Sequence, residues 1–226
     1  TASGEIDYNY MEERISELEE ERISELEAYL RVTGLNDYIL TDEEEKAIKR
    51  FNSDRVEWKE YNVEQLFGKS TRGKRLKSFD RITGTLPFVT AGETDEGISA
   101  YIGNNVEVFS KNTSTIDMFG SAKYRNYNYG ADDHVAVVHT ENLPKHAAMF
   151  ITSSLNKSSH AGQFDYSRNF YAKDADKLII SLPTKNNAPD YAFMETYIKA
   201  IQKLVIKDVV EWKDKIISAT KYVVQK

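Results

Sequence analysis

The stretch best equipped for chemistry lies between residues 69 and 81, where Lys69, Arg72, Lys74, Arg75, Lys77 and Arg81 stand against a single acid, Asp80. Gly68 and Gly73 give it the character of a loop. Cations on such a loop neutralise phosphates and release their counterions, and arginine pairs bidentately with the edge of guanine. By composition alone an exposed, solubilising loop is an equal reading. A second stretch, residues 119–130, interleaves Tyr124, Tyr127 and Tyr129 with Lys123, Arg125, Asn126 and Asn128. These types contact phosphate, sugar and base edges, although the tyrosines equally suit a half-buried strand. A third, residues 164–171, has the same character and carries Arg168 and Asn169. The spacing predicts that the loops at 68–81 and 119–130, with Arg168 and Asn169, form one surface for nucleic acid.

Enzyme motifs come close and fail. Gly68 to Arg75 falls one residue short of a P-loop, which needs Ser or Thr after the lysine to meet magnesium; Arg75 stands there instead. Pro189-Asp190 followed by Glu211-Trp212-Lys213 spells a restriction-nuclease signature, but on one helix these groups would sit about 30 Å apart, too far to share a metal ion. His134, His139, His146 and His160 form no pair at the i, i+4 spacing of a zinc helix, and His139 reads as structural. A serine elbow, a glycine-rich methyl-donor loop and adjacent prolines are all missing from the sequence. The expectation is a chain that is not an enzyme, with no catalytic residue and no metal ligand.

The elements that must position these loops follow from periodicity and charge. The chain has 226 residues, 40% of them hydrophobic, enough for one medium domain or a domain with long helices. The net charge of -6 is unevenly placed: residues 1–50 hold 15 acids against 6 bases, 51–186 hold 16 against 17, and 187–226 hold 5 against 7. The acidity that argues against nucleic acid therefore sits in one N-terminal segment. There Met11, Ile15, Leu18, Ile23, Leu26 and Leu30 recur at helical steps among glutamates. Gly34 is the expected C-cap, and Thr41 with Glu44 is the expected capping box of a second helix. From Pro189, the residues Met194, Ile198, Ile201, Val205, Val209, Trp212, Ile216, Ala219 and Val223 step by three and four in one sustained seam. Between lie short β-prone runs, Leu86–Thr90, Val106–Phe109, Val135–His139 and Leu178–Leu182, with one helix expected from Pro144 to Leu155. The fold class expected is α+β: one mixed domain at 55–186, flanked by helical segments at 5–50 and 189–224 that pack as an antiparallel coiled coil. Cysteine is absent, which fits a reducing cytoplasm, and no apolar run approaches the ~20 residues of a membrane span. Thr1-Ala2-Ser3-Gly4 shows neither an initiator Met nor a secretory leader, so a processed chain or a fragment is expected.

The order of these pieces resembles the specificity subunits of type I restriction-modification systems and the related subunits of type IIB and IIG systems. The resemblance rests on Glu27 to Leu35, Glu57-Trp58-Lys59, Arg72 to Leu76, Pro87 to Gly92 with Gly97-Ile98-Ser99, Phe119-Gly120, Leu182-Pro183, Phe193 to Ile198 and Lys207 to Trp212. It implies a target-recognition domain that reads one half of a bipartite site on double-stranded DNA, and it adds Thr90 to the DNA-facing set. It implies helices that dock methyltransferase subunits, which bind S-adenosylmethionine and methylate adenine, and a third, translocating and cutting subunit met indirectly; no cofactor is expected on this chain. With one recognition domain where the family carries two, the chain resembles a C-terminal half, and a homodimer through the helices is expected. The rival reading is a coiled-coil adaptor whose central domain binds protein.

Overall fold

Asp7 opens the first long helix, its carboxylate accepting from the Tyr10 amide at 3.1 Å. Gly34 closes it at φ 70, with the amides of Gly34 and Leu35 folded back onto Arg31 and Leu30 carbonyls. Only glycine adopts that left-handed turn without a Cβ penalty. The structure is a computed structural model that describes residues 6–224, with side chains to 218. The elements are, in order, α1 (Tyr8–Thr33), α2 (Asp42–Asn52), β1 (Trp58–Asn62), α3 (Val63–Phe67), β2 (Thr71–Arg72), β3 (Thr83–Val89), β4 (Ile98–Ile102), β5 (Thr113–Asp117), β6 (Ala122–Arg125), β7 (Gly130–Ala131), β8 (Val135–Val138), α4 (Lys145–Ser159), α5 (Ala172–Lys177), β9 (Ile179–Lys185), β10 (Ala188–Pro189) and α6 (Tyr191–Val224). They make a mixed α+β domain flanked by long helices. The chain divides into two compact units, one from Lys46 to Ile198 and one of the described residues up to Glu45 with those from Lys199 onward.

In the Lys46–Ile198 unit the sheets run β1-β9-β10, β2-β8-β5-β6 and β4-β3-β7. Strand β8 is buried on both faces. Ala136 and Val138 join the cluster formed with Ile151 and Leu155 of α4 and Ile180 and Leu182 of β9. Val135 and Val137 point the other way, to Val89, Phe109 and Tyr129. This is the period of two that a strand imposes, and each large side chain so covered contributes about 1.5–3 kcal/mol. Its neighbour β5 is a buried strand, polar at every position but Ile116, and its polar side chains are satisfied. Thr113 meets the Tyr129 hydroxyl at 2.9 Å, Ser114 meets Thr152 of α4 at 2.6 Å, and Asp117 accepts from the Phe119 and Ser121 amides. The expected run Val106–Phe109 forms no strand; Phe109 makes one bridge, to Tyr129. The last helix begins where Pro189-Asp190 predicts, with Asp190 accepting from the Phe193 amide at 3.1 Å.

In the other unit the capping box is present, Thr41 and Glu44 exchanging hydrogen bonds at 2.8 and 3.3 Å. Lys203 of α6 donates to Glu44 at 3.1 Å and to the Ile39 carbonyl at 2.8 Å, and pairs with Asp37 at 2.9 Å. The Lys203 hydrogen bond comes first in holding Asp37 below the usual carboxylate range. For Glu44 burial pushes upward, and the Thr41 and Lys203 contacts together outweigh it, so its pKa also falls. Further along, Ile15, Leu18 and Ile23 share one groove with Trp212 and Ile216. Since Lys203 lies beside the end of α1 and Trp212 beside its middle, the two helices run in opposite senses. The face of α6 differs from the expected seam. Val210 is 2% exposed and Ala200 and Lys213 are buried, whereas Val205 is 73% and Trp212 53% exposed. The covered face steps through Ala200, Lys203, Ile206, Val210 and Lys213, about 100° around the helix from the apolar one. Lys203 serves the ion pairs, and of the expected seam Trp212 and Ile216 line the groove with α1 while staying partly exposed. The side chains of Ala219 and Val223 lie outside the described residues.

Candidate nucleic-acid interface

The basic loop is threaded tightly past the core before it reaches solvent. Gly68 ends α3 at φ 75, and the Ser70 amide donates to Asp176 of α5 at 2.7 Å. Thr71 and Arg72 pair with Val137 and Ala136 at the edge of β8. Thr71 is also fixed by His139, whose other ring nitrogen lies 3.1 Å from Glu141, so His139 has the structural role expected of it. At Gly73 a Cβ would lie 1.6 Å from the Ala131 carbonyl oxygen, so no other residue fits the passage. Beyond it Asp132 accepts from the Leu76 amide at 3.2 Å, and Arg75 lies 3.8 Å from Asp133. Asp132, Asp133 and His134 bring ligand atoms within 4.8 Å of one another, and two of the three anchor this loop. The route from α3 into a strand is also unlike a P-loop, which opens a helix. Lys69, Arg72, Lys74, Arg75 and Lys77 all reach solvent. Arg81 does not serve with them: its guanidinium is tied to the Leu76 carbonyl and the Ser99 hydroxyl and covers the Phe88 ring.

The 164–171 segment arrives at the same place from the far side of the sequence. Phe170 is buried, and its amide donates to the Met118 carbonyl at 2.9 Å. Asp165 accepts from the Ser167 hydroxyl and from the Ser167 and Arg168 amides, which hold it below the usual carboxylate range in that order. This tight turn projects Arg168 across the Phe164 ring at 5.3 Å. Phe119 meets Tyr166 edge to face at 5.1 Å. Arg72, Tyr171, Ala172 and Lys173 line one open depression. A second, sharing Tyr171 and Lys173, takes in Tyr166, Arg168 and Asn169. The Asn169 Oδ1 and the Ser70 hydroxyl are buried without a hydrogen-bond partner. An unpaired buried acceptor is costly. Exposed cations suit phosphates, and polar and aromatic side chains beside them suit sugar and base edges.

The second cluster turned inward. Arg125 is 1% exposed, which corrects its expected place on the surface. Its guanidinium donates to Thr115 Oγ1, the Glu96 carbonyl and the Tyr127 hydroxyl at 2.8–2.9 Å. The Glu96 contact fixes a turn in which Asp95 and Glu96 both hold left-handed backbone angles. Lys123 donates to Glu93 and Ser121, and the half-buried Tyr124 donates to Asn112 at 2.8 Å. Burial raises the Tyr124 hydroxyl pKa. Thr90 is half-buried, its amide given to the Gly97 carbonyl. Strand β6, not a loop, carries Lys123 to Arg125, which is why their side chains alternate into packing. Conversely, Lys173 escaped the sequence reading because Asp174 and Asp176 neutralise its neighbourhood. Its position two residues past Tyr171, where the third cluster was closed, is the signal that pointed to it.

The family model of the type I restriction modification DNA specificity domain matches residues 55–211. The type II restriction enzyme BgcI specificity subunit S.BcgI of Heyndrickxia coagulans is 27% identical over 157 residues, covering 67% of this chain and 45% of that protein. Among solved structures, the type I restriction-modification S subunit from M. genitalium superposes with a TM-score of 0.52 at 16% identity, over 90% of this chain and 55% of that one. A chain from a structure of the type I R-M system, described for its complex assembly and conformational transition, does so at 0.52 and 15%, over 92% and 54%. These structures share the fold. The chain spans about half the length of the proteins it matches.

Proposed function

Because the chain belongs to the type I restriction modification DNA specificity family, we propose that it reads one half of a bipartite duplex site and directs partner subunits to methylate adenine and to restrict DNA there. The observation that carries this reading is the meeting of Arg72 with Lys173, and through the shared depression with Arg168 and Asn169, from segments far apart in sequence. Lys69, Arg72, Lys74, Arg75, Lys77, Arg168 and Lys173 meet phosphates or guanine, and the half-buried Asn169 lies among them. Lys123, Tyr124, Arg125, Tyr127 and Thr90 order the scaffold beneath. The chain supplies no catalytic group; S-adenosylmethionine belongs to the methyltransferase partner. No helix among the described residues is long and apolar enough to cross a membrane, and a reader of genomic DNA acts in the cytoplasm. The test is duplex binding by the full chain as salt rises. With five or six phosphate contacts the slope of log K against log salt is expected near -4 to -6. A flat dependence, or no binding, would favour the adaptor reading.

The helical unit supports assembly. Its groove leaves Ile15, Trp212 and Ile216 open to solvent on two helices of opposite sense. A second copy offers the same surface, as a two-fold pair requires, and such a pair would read a site with identical, inverted halves. Methyltransferase subunits then dock on the helices. Light scattering at micromolar concentration is expected to return twice the 25.9 kDa chain mass; a strict monomer would overturn the pairing.

A further inference from the structure

Just past the cations, the chain makes a short 3-10 turn, Ser78–Asp80, and Phe79 at its tip is 79% exposed. A single exposed apolar side chain is ordinary. The way this one is held is not. The turn closes on itself through the Asp80 amide to the Lys77 carbonyl at 3.0 Å and the Arg81 amide to the Ser78 carbonyl at 3.3 Å. Asn104 clamps its far end, donating to the Asp80 carbonyl at 3.0 Å and accepting from the Ile82 amide at 2.8 Å. Arg81 clamps its near end, donating to the Leu76 carbonyl at 3.3 Å and to Ser99 at 3.1 Å. Behind the turn β3 and β4 approach so closely that a Cβ at Gly84 would lie 2.4 Å from the Gly103 amide nitrogen. The aromatic ring is thus displayed on a braced turn. Lys77 lies 5.5 Å over its face, and the exposed Lys74 and Arg75 precede it.

An apolar ring beside a run of cations matches one surface in particular, the base stack of a duplex next to its line of phosphates. Rings presented this way enter between base pairs, partly unstack them and kink the helix, while flanking cations hold the phosphates. We infer that Phe79 is a wedge: when the basic loop meets DNA, its ring inserts at one base step, with Lys77 and Lys74 on the adjoining phosphates. This rests on the reading of the chain as a DNA-binding protein and goes beyond it, since it assigns a deformation of the DNA to one side chain. A wedge makes the site sensitive to how easily that step unstacks, so the chain would discriminate at a step whose base edges it need not touch.

The test uses the full chain and a duplex that the wild-type chain selects from a randomised library, with 2-aminopurine placed in turn at each step. Wild-type chain is expected to raise the fluorescence several-fold at one step. Phe79→Ala is expected to abolish that rise while keeping the salt slope, because the cations remain. Phe79→Trp is expected to restore it. The proposal is overturned by an undiminished rise with Phe79→Ala, or by salt-dependent binding with no bright step in the wild type. Absence of salt-dependent duplex binding by the wild type would instead bring down the DNA reading, and the wedge with it. Phe79 is mostly in solvent, so loss of fold does not confuse these outcomes; matching denaturation midpoints of the three proteins verify it.

Discussion

Reversing two charges, Arg72→Glu with Lys173→Glu, is expected to weaken duplex binding about 100-fold at moderate salt and to flatten the salt slope by about two, one for each phosphate contact removed. The two residues line one depression but come from β2 and α5. Each alone therefore removes part of one patch, and the double variant tests whether the patch is single. Both side chains reach solvent, so the unfolding free energy is expected to stay within about 0.5 kcal/mol of wild type. Gel shift or anisotropy titration at several salt concentrations measures the effect. Unchanged affinity in the double variant would move the DNA to another face of the domain. Lys123→Glu is the informative companion. That ammonium sits between Glu93, Asp117 and Ser121, so its reversal is expected to act on stability first.

The largest effect on stability is expected from Arg125→Ala, a loss of about 3–5 kcal/mol read as a lower urea midpoint. The guanidinium is buried among neutral groups, Thr115, Tyr127 and the Glu96 carbonyl, with the Tyr129 ring 5.9 Å away. Truncation would leave all three acceptors unpaired and open a cavity, and relaxation of the left-handed turn at Asp95 and Glu96 would offset only part of that. Arg125→Lys is expected to recover little, because one ammonium cannot reach three acceptors set around a planar fork. A midpoint for Arg125→Ala close to that of wild type would mean that the turn is held by other contacts. Arginine in two sequence clusters of the same appearance thus has opposite placements: Arg72 reaches solvent, and Arg125 is buried in the scaffold.

Local chemistry made much of this legible in advance. The Gly34 cap, the Thr41–Glu44 box and the start of α6 at Asp190 each depend on residues within a few positions of one another. β8 was legible as a run of β-branched and small apolar residues. β5 was not, because Thr113-Ser114-Thr115 has the composition of a loop. Those hydroxyls become core-compatible only once Tyr129, Thr152 and Arg125 stand opposite them, and no local signal encodes partners so far along the chain. The face of α6 failed for a related reason. Hydrophobic spacing alone favoured Val205, Val209 and Trp212, but Ala200, Val210 and Lys213 are the buried positions there, and Lys203 is held by Glu44 and Asp37.

The sequence by itself determined the long helices α1 and α6, the Gly34 cap and the Asp190 start, the basic loop between Lys69 and Lys77, and an order of motifs that resembled a DNA specificity subunit. All of these are written in neighbouring residues, where propensity, capping and charge act over a turn or two. Only the tertiary structure decided which cations are free. It took Arg81, Lys123 and Arg125 into the scaffold, brought Lys173 to Arg72 and braced Phe79 at the tip of its turn. The physical reason is that a side chain's availability is set by what packs against it. A guanidinium has the same charge buried or exposed, and whether it meets a carbonyl or a phosphate is fixed by strands and helices that its own stretch of sequence does not contain.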